Sequence, residues 1–492
     1  MSDLPAGWAD VDIGAIADIK LGKMLDKAKN KGEPTPYLRN INVRWGNFDL
    51  SDILQMPMSP EERSTLSVRD GDILVCEGGE PGRSAVWQNG ATDLTFQKAL
   101  MRLRPRAGIA PHLLTAFLRW SYDAGNLNGH FTGTTIKHLP QGALAAVRFP
   151  LPPLSEQQRI VAKIDSLTGK SRRARDHLDH IPRLVEKYKQ AILAAAFRGD
   201  LTREWRENHC PATLSVTTVS HERRRLLETN EQRLKQCENV SVVETDRPFK
   251  LPEGWDWVRA EAICGFITKG TTPGSDLMSS SDGEVPFIKV YNLTFDGTLD
   301  FTIDPTFVSN VTHKGFLGRS KVLPGDVLMN IVGPPLGKVS VVPSQYAEWN
   351  INQAIAVFRP IASVLPAFLS QWLLTDVLTR WAVSRSKATA GQSNLTLEIC
   401  RNLPVPLCSY AEQVEIVRKI DTAMSWVNRL AGDANSARKL IDHLDQSVLA
   451  KAFKGELVPR DPVDEPASAL LERIRAERAA APKAKRGRKK AA

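Results

Sequence analysis

The sequence predicts an α/β (α+β) protein: two pseudo-repeated globular domains separated by a pair of long coiled-coil helices. Three observations carry this. First, the segment from Glu156 to about Gly199 returns as Glu412 to about Gly455. KYKQAILAAAFRGDLT (187–202) aligns without a gap on HLDQSVLAKAFKGELV (443–458), and EQQRIVAKID (156–165) aligns on EQVEIVRKID (412–421). Second, both copies carry a sustained heptad of apolar and small residues, the period of helices that pair along their length. Third, each copy is preceded by a block of about 150 residues that opens LP-x-GW, at LPAGW (4–8) and LPEGW (251–255). A repeat of this kind sets the architecture before any local reading.

The heptad of the first copy steps through Ile160, Ile164, Leu167, Ser171, Ala174, Leu178, Ile181, Val185, Tyr188 and Ile192. That of the second steps through Ile416, Ile420, Ala423, Val427, Leu430, Ala434, Ala437, Ile441, Leu444 and Val448. Pro182 removes a backbone donor in mid-helix, so a kink or restart is expected there. Arg438 stands at that place in the second copy, which is expected to run straight. The alternative is two amphipathic helices lying on separate domain cores; the matching registers favour mutual pairing.

Inside the blocks the elements also repeat. PYLRNINVRWGNFDL (36–50) and PFIKVYNLTFDGTLDF (286–301) alternate in β fashion around Gly/Asn/Asp turns. GDILVCEGGEPGRSAVW (71–87) and GDVLMNIVGPPLGKVSVV (325–342) read as strand, Gly/Pro loop, strand. TFQKALMRLRP (95–105) and NINQAIAVFRP (350–360) follow, then helices that start on Pro111 and Pro366, a residue suited to a first helical turn. Polar loops come next, at 128–140 and 384–397. Pro-rich straps lead into the long helices, with serines placed to cap them. The expected divisions are 1–154 and 250–409 for the globular domains, and 155–202 and 410–458 for the helical regions. A spacer with a charged helix at 220–236 covers 203–249, and a short helix and basic tail cover 459–492.

The net charge of +10 sits largely in six basic residues of the tail, Lys483, Lys485, Arg486, Arg488, Lys489 and Lys490, without which it is +4. Bulk charge therefore does not by itself establish a nucleic-acid partner. Six scattered cysteines with no C-x-x-C pair suggest reduced thiols in a cytosol. No signal-like start and no apolar run near 18 residues are found, so no membrane span and a cytoplasmic location are expected.

No chemistry is recognisable in the chain. GPPLGKV (333–339) is one residue short of a phosphate loop and has Val339 where a magnesium-binding hydroxyl belongs. GGEPG (78–82) is weaker, and there is no methyl-donor pocket, N-P-P-[FYW] motif or nuclease carboxylate pair. His177 and His180 correspond to Asp433 and Ser436, so a repeated metal site is not supported. No catalytic and no metal residue is assigned.

Binding residues are better represented. Arg39, Asn42 and Arg44, with Lys289 and Asn292 in the second block, are types that bond base edges in the major groove. Arg83 and Lys338, then Thr134, Thr135 and Lys137, and Ser384, Arg385, Lys387, Gln392 and Ser393, offer donors for phosphates and bases. Each alone reads more readily as a solvated loop. Their matching places in both blocks favour two nucleic-acid reading surfaces.

Nearly the whole chain resembles the specificity (S) subunit of type I restriction–modification systems. The marks are the LP-x-GW starts, the straps ending EQ-x-x-IV-x-KID and the helix ends Q-x-x-L-A-x-AF-x-G-x-L. The second strap departs, with CSYAEQ where PLSEQ is usual. The resemblance implies that the globular domains are target recognition domains, each reading half of a split, asymmetric site in double-stranded DNA. The helices are then an antiparallel pair acting as a ruler. Two methyltransferase subunits dock on the conserved helices, around Gln190, Leu193, Phe197, Gln446, Leu449 and Phe453, and methylate adenine at N6 with S-adenosylmethionine. Restriction subunits add ATP- and Mg-dependent translocation and cleavage. This chain holds no cofactor. The rival readings are a DNA-binding regulator without modification partners, a diverged enzyme and a pure protein scaffold.

Overall fold

The computed structural model describes residues 4–26, 30–90, 92–209, 211–229, 240–280, 283–389 and 392–480. The six basic tail residues and positions 230–236 of the expected spacer helix lie outside them. The chain divides into two compact units, 1–179 with 435–492, and 180–434. One cut falls at the break after Asp179 and the other inside the helix Tyr410–Phe453, so each repeated helical segment is shared between the two units. Among the described residues, no helix is long and apolar enough to cross a membrane.

In the first unit, Ala9–Asp12 pairs antiparallel with Arg148–Leu151, joining the LP-x-GW start to the strap. A four-stranded antiparallel sheet runs in the order Ala17–Leu21, Leu100–Pro105, Ile73–Cys76, Ser84–Val86. Alternate residues of a strand face opposite sides. Ile73 and Val75 therefore enter the core under helix Pro111–Asp123, while Leu74 and Cys76 enter a second core. That second core is closed by a smaller sheet of Leu54–Met58, Glu33–Leu38 and Thr95–Phe96.

The second unit repeats the plan. Asp256–Arg259 pairs with Pro404–Leu407, and Cys264–Lys269, Ile355–Pro360, Val327–Asn330 and Val339–Val341 form the four-stranded sheet. The smaller sheet gains one strand: Phe307–Val308, Val285–Ile288, Trp349–Ile351, Lys321–Val322. A buried carboxylate grips an arginine of the neighbouring strand in both units. Asp72 receives Arg104 at 2.6 and 2.7 Å, and Asp326 receives Arg359 at 2.8 and 2.7 Å. Bidentate geometry of this kind fixes register as well as adding energy.

The EQ pair at the start of each long helix ties block to helix. Gln157 accepts the Ala110 N–H at 2.9 Å, and Gln413 accepts the Leu365 N–H at 2.8 Å. Each satisfies a backbone donor at the foot of the proline-started helix. Glu156 accepts the Trp8 indole N–H at 3.0 Å, and Glu412 accepts that of Trp255 at 2.9 Å. Serine capping holds at one strap only. Ser409 accepts the Glu412 N–H at 3.2 Å, whereas Ser155 already lies inside the helix that begins at Leu154.

The first long helix, Leu154–Asp179, ends at His180 and restarts as Ile181–Phe197 with Pro182 in its first turn; the second runs unbroken from Tyr410 to Phe453. Both outcomes follow from the proline. In the first unit Arg175 bonds Asp442 at 2.8 Å and Asp445 at 2.7 Å, and Asp179 pairs with Arg438. Four residues forward on one helix are four residues back on the other, so the pair is antiparallel. The seam differs from the expected heptad at three places. Tyr188, Leu430 and Leu444 are 62%, 61% and 53% exposed.

The expected spacer is corrected. Helix Val216–Thr229 is part of the second unit: Val219 is fully buried, and the Arg223 Nε donates to the Cys264 carbonyl at 3.2 Å. The C-terminal helix Ala467–Ala480 does the same for the first unit. It buries Ala467, Leu470, Leu471 and Ile474 in the core of Trp8, Ile109 and Phe453, and the Ala467 N–H bonds the Gly7 carbonyl at 2.9 Å.

Candidate nucleic-acid interface

In the first unit the segment after strand Glu33–Leu38 folds into a tight turn, Asn40–Asn42. Asn42 holds it shut. Its Oδ1 accepts the Arg39 N–H at 2.8 Å, and its Nδ2 donates to the carbonyls of Asp49 at 2.9 Å and Asp52 at 3.0 Å. With three bonds made and 2% exposure, Asn42 has no face left for a base. Its assignment as a base reader is corrected to a staple. Arg39 pairs with the Asp52 carboxylate and donates to its carbonyl at 3.2 Å. Arg44, in a short hairpin turning at Trp45–Gly46, is exposed and 3.6 Å from Asp49.

Two further loops are laced to this turn. Asn40 Nδ2 donates to the Gly78 carbonyl at 2.6 Å, and Arg83 Nη2 donates to the Asn40 carbonyl at 3.0 Å. Arg83 also pairs with Glu80 and its side chain is only 13% exposed, so it is an internal brace and not a free phosphate donor. Cys76 lies beside it, and burial pushes that thiol up to about 11. Thr132 and His138 exchange backbone bonds at 2.8 and 2.9 Å, and His138 bridges to Gly78. Thr134, Thr135, Ile136 and Lys137 are left exposed at the tip of this loop. Arg39, Arg44, Thr134, Thr135 and Lys137 therefore belong to one laced loop cluster.

The second unit builds the same turn. Asn292, 1% exposed, accepts the Lys289 N–H at 2.9 Å and donates to the carbonyls of Asp300 at 3.1 Å and Ile303 at 2.8 Å. It too is a staple, not a reader. Lys289 Nζ stands 3.7 Å from the Asp304 carboxylate and 5.5 Å from the Tyr291 ring. In the next loop, Asn330 accepts the Lys338 N–H at 2.8 Å and donates to the Pro335 carbonyl at 2.7 Å; Lys338 Nζ lies 5.8 Å from the Phe295 ring. The hairpin of Lys387–Thr389 with Gln392–Asn394 bridges back to Val332. Lys387, Gln392 and Ser393 are on it, though their side chains are outside the described ones. Arg385 is turned elsewhere, stacked 4.0 Å over Trp381 and bonded to Asp246 at 2.6 Å; Ser384 bonds the Trp381 carbonyl at 2.8 Å.

The residues expected to meet protein partners are mostly internal. Phe197 is fully buried against Phe368 and Trp372, with ring centroids at 5.3 and 5.1 Å. Phe453 packs on Phe117 and Trp120 at 5.3 and 5.4 Å. Leu193 and Leu449 are buried beside them. Gln190 bonds the Asp376 N–H at 2.8 Å and the Leu374 carbonyl at 3.2 Å. These residues anchor each helix end to its own unit, and only Gln446 is exposed. The helices instead leave apolar pairs open at matching places in the repeat. Leu184 and Tyr188 are 47% and 62% exposed, and Leu440 and Leu444 are 68% and 53% exposed. Position-by-position alignment of the copies contains this signal, since 184 and 188 map onto 440 and 444, but the heptad had placed Tyr188 and Leu444 inside.

Residues 5–177 and 252–431 each match the type I restriction modification DNA specificity domain. The chain is 31% identical to the type I restriction enzyme EcoBI specificity subunit of Escherichia coli, over 98% of this chain and 95% of that one. It is 27% identical to the EcoDI specificity subunit of Escherichia coli over 99% of each. Among solved structures, a chain from work on complex assembly and conformational transition of the type I R-M system superposes with a TM-score of 0.62 at 20% identity, covering 93% of this chain and all of that one. The HsdS subunit from Thermoanaerobacter tengcongensis superposes with a TM-score of 0.53 at 20% identity, covering 92% and 98%. Both show the same fold.

Proposed function

The chain belongs to the type I restriction–modification DNA specificity family, and from that premise we propose how its two units divide the recognition of DNA. It is a specificity subunit that recognises DNA. Each unit reads one half of a bipartite, asymmetric site in double-stranded DNA. The observation that carries this reading is the stapled turn, built twice from the same hydrogen bonds around Asn42 and Asn292 but displaying different side chains. Two readers of one construction and unlike surface suit two unlike half-sites. Arg39, Arg44, Thr134, Thr135, Lys137, Lys289, Lys338, Lys387, Gln392 and Ser393 are the contacts proposed for bases and phosphates.

The same chain serves as scaffold. Two identical methyltransferase subunits need two equivalent docking faces on one chain, and the exposed pairs Leu184–Tyr188 and Leu440–Leu444 occur at equivalent positions. Those subunits carry S-adenosylmethionine and methylate adenine N6 in each half-site, flipping the base into their own pocket. Restriction subunits bring ATP and Mg for translocation and cleavage. This chain contributes address and assembly, without catalysis.

Mapping methylated adenines in cells with and without this gene tests the reading. A gapped motif with two unlike halves, lost on deletion, is expected. Methylation or cutting of DNA by the purified chain alone would overturn it. So would the absence of salt-dependent DNA affinity in the assembled complex.

A further inference from the structure

The stapled turns differ at one displayed position. The buried asparagine leaves the preceding residue as the large side chain the turn holds outward: Ile41, 48% exposed, in the first unit and Tyr291, 36% exposed, in the second. A side chain on so rigid a mount loses little freedom on binding. The cation two residues earlier, Arg39 or Lys289, is tied to an acid in both units, to Asp52 and Asp304 respectively.

What surrounds the displayed residue is not the same. Ile41 offers apolar surface only. Tyr291 donates its hydroxyl to Asp304 Oδ2 at 2.6 Å, and Lys289 approaches that same oxygen. Asp304 Oδ1 has no partner among the described residues, and the side chain is 65% exposed. The carboxylate sits on a left-handed residue, φ 45°, the one non-glycine with positive φ among those described. The Tyr291 bond, with the Lys289 charge, holds its carboxyl below the usual range, so it is ionised. A fixed anion on a surface that meets phosphates is repelled unless it bonds a donor on the nucleic acid. The major groove offers such donors on base edges, and the cytosine amino group is the one an acidic side chain accepts from.

We propose that these two turns are specificity determinants of opposite chemistry: Ile41 packs on a thymine 5-methyl group in the first half-site, and Asp304, positioned by Tyr291, accepts from a cytosine N4 amino group in the second. This rests on the two-reader function above and goes further by naming base, atom and residue.

The test is the methylation motif of the assembled complex carrying Ile41→Ala, Asp304→Asn or Tyr291→Phe. Ile41→Ala relaxes one position of the first half-site by about tenfold, the scale of a single base-edge contact, and leaves the second half-site unchanged. Asp304→Asn relaxes a G·C position of the second half-site only. Tyr291→Phe relaxes the same position less, because the carboxylate is retained and only its positioning is lost. All three side chains are solvent-facing, and co-purification with the methyltransferase subunits reports that folding is intact. Loss of affinity uniform across sequences, unchanged preference at both positions, or a wild-type second half-site lacking any G·C pair overturns the assignment. A wild-type motif that is not gapped would instead defeat the two-reader function itself.

Discussion

Trp8 and Glu156 meet through a 3.0 Å bond from indole N–H to carboxylate, but Glu156 Oε1 is buried with no hydrogen-bond partner among the described residues. Glu412, at the same place in the second unit, is fully used: Trp255 at 2.9 Å, Thr202 at 2.8 Å and Arg206 all reach it. The two glutamates are therefore predicted to answer the same substitution oppositely. Glu412→Gln strips the counter-charge from a part-buried arginine and costs roughly 2–4 kcal/mol. Glu156→Gln keeps the bond to Trp8, removes a buried and only partly compensated charge, and leaves stability unchanged or raised. Thermal unfolding of the two variants decides.

Glu156 also gives a pH dependence. Burial pushes its carboxyl above the ordinary range, with nearby Asp464 adding to the rise, against the Trp8 bond, Arg159 and Arg460, which lower it. The folded chain thus holds this proton more tightly than the unfolded chain. The stabilisation is full below the ordinary carboxylate pKa and is lost as pH rises through the raised folded value. The deficit of wild type relative to Glu156→Gln should widen as pH rises across that window and close below it. A constant difference across that window would contradict the assignment.

Anchor residues and docking residues separate by substitution. Phe197→Ala or Phe453→Ala removes a buried ring and should destabilise its own unit by about 3–5 kcal/mol. Leu440→Asp with Leu444→Asp changes exposed positions and should move stability by no more than about 0.5 kcal/mol. Yet it should cost the complex one methyltransferase subunit in a stoichiometry measurement, as Leu184→Asp with Tyr188→Asp should cost one too.

Removal of seven residues from both long helices at matched positions shortens each by about 10 Å, at 1.5 Å per residue. If the helices set the gap, the motif should tighten by about three base pairs at roughly 3.4 Å per step. A methylation survey showing the original gap would rule out the ruler.

Chain ending before Pro466 lacks helix Ala467–Ala480 and exposes the pockets of Leu470, Leu471 and Ile474. At about 1.5–3 kcal/mol for each large side chain, the first unit should unfold well before the second. A replacement of residues 1–150 should change one half-site only, and should need this helix matched to the new block.

The repeat, the proline restart and the twin sheets were legible because each rests on local chemistry: turn residues, strand alternation, a missing backbone donor. Roles that depend on burial were not. Asn42 and Asn292 are as suited to adenine as to a backbone staple, and only the carbonyls of Asp49, Asp52, Asp300 and Ile303 converging on them settle which. Phe197 and Phe453 belong to the same repeated motif whether they face a partner or their own domain. Helix Val216–Thr229 shares too few residues with Ala467–Ala480 for the kinship to show before both are seen packed.

The first compact unit is completed by helix Ala467–Ala480, far along the chain from the block it covers. While the ribosome is still at work, Trp8, Ile109 and Phe117 await side chains more than three hundred residues away in the message. A product terminated before Ala467 therefore carries a complete second unit and an incomplete first one. Translation past Ile474 thus becomes a condition for closing the first unit's core.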